Sequence, residues 1–174
     1  MEIEFEDDIK LVLNRGIIEQ LRMCVNNSHP NEACGIIFGE ITQITKKDHN
    51  DDFIYYYKGT NFECIQSDRK SAVAFLIENI EQLHEIIQSK IQQLNLKSKI
   101  RLISIFHSHP SGSYPSSMDL NQMKFLDSFS SVMHRFTSKA FKNLVWTIMD
   151  GITYELRGFI YINPKFFQIE VVRR

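Results

Sequence analysis

An α/β fold on a mixed sheet is predicted for this chain, and three observations predict it. Short apolar runs of strand length recur along the whole sequence. Longer stretches between them carry apolar residues at helical spacing. The C-terminal part returns on itself as hairpins, which a purely parallel sheet does not contain. A mixed sheet with helices on its faces accounts for all three.

The elements follow in order. Residues 9–14, Ile-Lys-Leu-Val-Leu-Asn, read as a first strand. Residues 16–28 place Ile17, Ile18, Leu21, Cys24 and Val25 on one helical face, and His29-Pro30-Asn31 ends that helix. Residues 34–39, Cys-Gly-Ile-Ile-Phe-Gly, are a buried strand that Glu40 to Ile44 can extend. A turn is expected over 46–52, a strand over 53–57 and a loop over 61–69. The longest helix signal spans about 71–93, where Val73, Leu76, Ile77, Ile80, Leu83, Ile87 and Ile91 form one stripe. Residues 102–106 are nearly all apolar, as a central strand covered on both faces should be. A helix follows over 116–129, then an irregular apolar stretch over 132–141. Strands over 144–149, 152–162 and 166–172, joined by turns at Asp150-Gly151 and Asn163-Pro164, close the chain.

The 174 residues fit a single domain, taken as 1–174, and 43% apolar with 24% charged residues is an ordinary globular composition. A net charge of −1 gives no electrostatic reason to expect nucleic acid as a partner. No apolar run reaches membrane-spanning length, and the acidic start, Met1 to Asp8, does not read as a signal peptide. Cys24, Cys34 and Cys64 are odd in number and lack Cys-x-x-Cys spacing, so free thiols in a reducing, cytoplasmic setting are expected.

The chemistry concentrates at His107-Ser108-His109-Pro110, Ser116 and Asp119. Two positions apart on an extended chain, His107 and His109 share a face and can reach one ion. Asp119, in the first turn of the next helix, adds a carboxylate oxygen. Three protein ligands leave a position for water, the hallmark of catalytic rather than structural zinc. The same Ser116-x-x-Asp119 spacing also fits helix capping, which is compatible with ligation. Glu32, just before the buried strand at 34, supplies a carboxylate that can move protons. Cys34 opens an apolar run and reads as packing. His29, His49, His84 and His134 have no metal-like neighbours and read as surface or satisfied residues.

Taken together, Pro30-Asn31-Glu32-Ala33-Cys34-Gly35, His107-Ser108-His109-Pro110 and Pro115-Ser116-Ser117-Met118-Asp119 resemble the JAMM (MPN-type) zinc metalloprotease family. The resemblance covers most of the chain. It implies a cytidine-deaminase-like α/β/α sandwich holding one zinc ion. It implies His107, His109 and Asp119 as ligands, Glu32 as general base and acid, and Ser116 as the donor to the oxyanion. The implied substrates are the Gly-Gly tails of ubiquitin or ubiquitin-like modifiers, or of sulfur-carrier proteins of the same fold. A non-catalytic interaction domain is the third outcome the family offers. One departure stands out: the family usually has ten residues between the second histidine and the aspartate, and here nine, Pro110 to Met118, intervene. An extended tail could bind as a strand added beside the sheet. The apolar faces of 71–93 and 128–142 could pair in a homodimer or larger complex, or pack on their own sheet.

Overall fold

The computed structural model describes residues 2–47, 49–65, 80–93, 99–132 and 141–174. Over these the chain forms β1 (Ile3–Leu13), α1 (Arg15–Ser28), β2 (Cys34–Lys46), β3 (His49–Ile65), α2 (Ile80–Gln93), β4 (Arg101–His109), α3 (Ser117–Val132), β5 (Val145–Asp150), β6 (Leu156–Ile162) and β7 (Lys165–Arg173).

The sheet is mixed, as expected: β1 runs parallel to both β3 and β7, β4 runs parallel to β5, and the remaining pairs are antiparallel. Where an open central layer was anticipated, the sheet instead closes into a barrel in the order β1-β3-β2-β4-β5-β6-β7. The closing seam is β1 against β7, with Ile3 opposite Phe166 and Leu13 opposite Arg173. That pairing joins the two ends of the chain, and strand periodicity carries no sign of it.

Several boundaries move outward for the same reason. Polar strand ends are held by their neighbours, not by their own alternation. β1 starts at Ile3 because residues 3–6 pair with β7. The expected turn at 46–52 shrinks to a short β2–β3 connection, and of the loop expected over 61–69, residues 61–65 are strand with Ile65 paired to Cys34, while 66–69 lie outside the described residues. In contrast, β6 begins at Leu156 and not at 152, because Asp150 folds residues 150–153 into a turn. The helix expected over 71–93 is described from Ile80; its earlier part and most of 132–141 lie outside the described residues.

Two apolar clusters flank the strands. Alternation sorts the residues: Cys34, Ile36 and Phe38 of β2 face one cluster, Ala33 and Ile37 the other. α1 is capped by Asn14, whose Oδ1 accepts from the Ile17 N–H at 2.9 Å, and buries Ile17, Ile18, Leu21, Cys24 and Val25. α2 buries Leu83 and Ile87, and α3 buries Leu120, Met123 and Leu126, in the other cluster. The described part of the long helical stripe thus packs on its own sheet. Cys24 of α1 is joined to Cys64 of β3 by a disulfide, which corrects the expectation of three free thiols. The two lie 40 positions apart and meet only because α1 packs across β3, so spacing could not reveal them.

Candidate metal centre

β4 and α3 build the centre between them. His107 and His109 stand at the C-terminal end of β4 on the face that also carries Ile105, toward the cluster that α3 covers. His107 is buried, its ring edge-on to Trp146 with centroids 6.0 Å apart. Ser108, between them, faces the other way. Its Oγ accepts from the Ala33 N–H at 2.8 Å, and its own N–H donates to the Ala33 carbonyl at 3.0 Å. These two bonds fasten the segment carrying Glu32 to the strand carrying both imidazoles.

Asp119 enters from the first turn of α3. The Ser116 N–H donates to Asp119 Oδ2 at 2.6 Å, and the Asp119 N–H donates to Ser116 Oγ at 3.2 Å, a reciprocal capping pair. The cap fixes both the helix start and the carboxylate. Asp119 Oδ1 lies 3.2 Å from His107 Nε2 and Oδ2 lies 3.2 Å from His109 Nε2. The two Nε2 atoms are 3.1 Å apart.

The structure therefore brings His107, His109 and Asp119 together, with one donor atom from each inside a 4.8 Å sphere of mutual distances. The donor chemistry fits zinc. Ligand atoms about 2.0–2.1 Å from a tetrahedral ion lie roughly 3.3 Å from one another, close to the separations found. His107 Nδ1 is buried with no partner among the described residues, so its tautomer is decided at Nε2, the atom facing the cluster.

Electrostatics divide the carboxylates into two kinds. Burial alone pushes the Asp119 carboxyl up, but the contacts to His107 and His109 and the bond from Ser116 outweigh it and hold it well below the usual carboxylate range. Glu32 is pushed up, mainly by burial and further by Asp119, with the two imidazoles partly opposing. Glu32 thus stands near enough to feel all three cluster residues without joining their donor atoms. His109 is raised by its hydrogen bond to Asp119, against burial. Ser116 is exposed, and its cap uses an oxygen lone pair, leaving its O–H free to donate elsewhere.

Three residues that sequence reasoning missed surround the link from His109 to Asp119. Asp150 accepts from the Gly112 N–H at 2.7 Å, where Gly112 has φ 84°, a conformation that suits glycine. Gly151 donates to the His109 carbonyl at 2.9 Å; a Cβ there would meet that oxygen at 2.8 Å. Arg157 Nε donates to Ser113 Oγ at 3.0 Å and its guanidinium lies 4.6 Å from the Tyr114 ring centroid. The only sign in sequence was Asp150-Gly151, which reads as an ordinary hairpin turn.

A cavity of about 380 Å³ opens beside His109, lined among others by His29, Asn31, Pro110, Ile152 and Tyr154. His29 shares the lining of this cavity with His109, although no motif includes it. Cys34 is fully buried and burial pushes its thiol up, as befits a packing residue. No described helix is long and apolar enough to cross a membrane.

Residues 14–148 match the family model for prokaryotic homologs of the JAB domain, so the chain belongs to the JAB/MPN (JAMM-type) family. A protein of Desulfitobacterium hafniense with a solution structure is similar in fold, at TM-score 0.60 and 16% identity, over 95% of this chain and 92% of that one. A protein of Salinibacter ruber gives TM-score 0.49 at 15% identity over 94% and 90%. A JAB1/MPN domain protein of Archaeoglobus fulgidus gives TM-score 0.45 at 15% identity over 95% and 98%. No curated protein matches the sequence.

Proposed function

We propose that the protein is a zinc-dependent isopeptidase or peptidase cleaving after the C-terminal Gly-Gly of ubiquitin or a ubiquitin-like modifier. One observation carries the reading: two imidazole nitrogens and a carboxylate oxygen converge, and a second carboxylate, Glu32, stands beside them with a raised pKa. Bound there, zinc supplies a Lewis acid that acidifies water and polarises a carbonyl. The protein's own residues do the rest. His107, His109 and Asp119 hold the ion, and the contacts of Asp119 with the two imidazoles and with Ser116 keep it ionised against the effect of burial. The Glu32 carboxylate takes a proton from the attacking water and returns it to the leaving amine. The Ser116 O–H donates to the carbonyl oxygen as negative charge builds. A cytidine-deaminase-like arrangement of the fold belongs to the same reading.

The closed sheet constrains how an extended tail binds, because every strand has two neighbours. Among the described residues, Asn61–Ile65 of β3 pairs with β2 alone and Glu40–Lys46 of β2 pairs with β3 alone, and these are local edges that an added strand can use. The test is incubation of the purified protein with conjugates of Gly-Gly-tailed modifiers, with and without a chelator. Chelator-sensitive cleavage supports the proposal. Cleavage of ε-lysine-linked conjugates assigns an isopeptidase, and cleavage of linear extensions alone assigns processing of a sulfur-carrier protein. No cleavage of any conjugate by zinc-loaded protein refutes the enzyme. A cytoplasmic setting belongs to the same proposal, but the Cys24–Cys64 bridge of the structure opposes it; thiols at both positions in protein taken from cells would support it.

A further inference from the structure

Asp150 ends β5 directly opposite His109 on β4. Its carboxylate accepts three backbone N–H groups from two separate segments. Oδ1 takes those of Ile152 and Thr153, at 2.7 and 2.9 Å, and so shapes the β5–β6 turn. Oδ2 takes that of Gly112, at 2.7 Å, 38 positions earlier in the chain. Gly112 stands in the link between the second histidine and Asp119. A turn-forming aspartate needs only the Oδ1 bonds; the Oδ2 bond reaches outside the turn.

Further contacts bind the same surfaces. The Gly151 N–H donates to the His109 carbonyl at 2.9 Å, tying the turn to the strand end. The buried Ser113 donates to Glu155 Oε2 at 2.9 Å and accepts from Arg157, tying the link to the start of β6. The path of the link governs how α3 delivers Asp119 to the imidazoles, because β4 fixes one of its ends and Asp119 lies just past the other. Resting on the metal reading above, we infer that Asp150 is a positioning residue for the metal site, holding the 110–118 link in the path that sets Asp119 against His107 and His109. The chemistry it serves is a divalent cation of zinc type.

The experiment compares wild type, Asp150→Ala and Asp150→Asn. Three quantities are measured: cobalt(II) affinity by chelator competition, the visible absorption of the cobalt-loaded protein, and hydrogen exchange of the metal-free link. Residues that support metal ligands change affinity by about 10–100-fold when lost. Asp150→Ala should weaken cobalt binding by about that factor, alter the cobalt spectrum and speed exchange at Gly112. Asp150→Asn keeps one carbonyl oxygen for the turn and turns an NH2 toward the Gly112 N–H. It therefore removes the long-range bond with the turn intact, and it decides the matter if the alanine variant does not fold. A smaller loss of affinity with a shifted spectrum supports the inference. Wild-type affinity, spectrum and exchange in Asp150→Asn overturn it and leave the metal reading standing. A wild-type protein that takes up no cobalt removes both.

Discussion

The metal centre and the β1–β7 seam both set a carboxylate against a basic side chain, and they differ in water. At the seam, Lys165 meets Glu4 at 2.7 Å with side chains 58% and 46% exposed. Lys10–Glu170, on the same strand pair, is also partly exposed. At the centre, Asp119 meets two imidazoles at 3.2 Å with its own side chain only 8% exposed. Water screens the seam pairs and can solvate either partner alone, so such pairs are worth little. A buried acceptor that loses its partners has no such refuge. The same elementary attraction therefore ties strand to strand loosely in one place and sets protonation states in the other.

The largest break in that comparison is Asp119→Ala. Zinc uptake should fall to background in equilibrium dialysis. His109 should also titrate closer to its ordinary value in the metal-free protein, because its bond to Asp119 is the leading cause of its raised pKa. Full zinc content together with an unmoved His109 resonance titration would show that Asp119 is neither ligand nor partner. Next comes Glu32→Gln, which keeps shape and removes the proton acceptor. Turnover should drop by roughly 10²–10⁴-fold, the range general acid–base catalysis supplies, with zinc content unchanged.

A pH series sharpens the contrast without a large loss. In the metal-free protein His109 and Glu32 both have raised pKa values, so the folded state holds their protons more tightly than the unfolded chain. Their contribution is complete below the ordinary values of 6.5 and 4.5 and is lost as pH rises through the raised ones. Asp119 is lowered; its contribution is present above 3.8 and disappears as pH falls toward its depressed value. Urea unfolding of the metal-free protein should therefore show stability declining as pH climbs from the carboxylate range past 6.5. In Glu32→Gln the lower step should vanish. Zinc binding should follow the opposite slope, strengthening as pH rises, since an imidazole must lose its proton to ligate. A metal-free profile that is flat across this range would contradict the buried arrangement.

How much of this was legible in the sequence follows from how local each feature is. His107 and His109 share a strand face two positions apart, and Ser116 with Asp119 spans one helical turn, so short-range spacing put them forward as candidates and the resemblance of the combined motif gave them their roles. Glu32 was found as a carboxylate ahead of a strand, while the bonds that hold it near the imidazoles, Ser108 to Ala33, cross 75 positions. Asp150 looked like half of a hairpin turn, because its bond to Gly112 exists only once β4 and β5 lie side by side. The same holds for barrel closure and for Cys24–Cys64, both made by packing between distant segments. The strand through Ile65 was missed because Gly-Thr-Asn-Phe-Glu-Cys does not alternate cleanly; its partner on β2 dictates its state.

The smallest expected effect lies at the seam, and it closes the comparison. A double-mutant cycle on Glu4→Ala and Lys165→Ala should give a coupling of about 0.2–1 kcal/mol at low salt, the range for exposed pairs. Raising ionic strength to 1 M shortens the Debye length to about 3 Å and should remove most of it. Applied to the centre, the same salt series should move the His109 titration less, because its partner Asp119 is buried and His109 itself is only 14% exposed. Equal salt sensitivity at the two places would mean that water reaches the imidazoles as freely as it reaches Lys165. Burial would then not be what separates a site from a surface pair in this molecule.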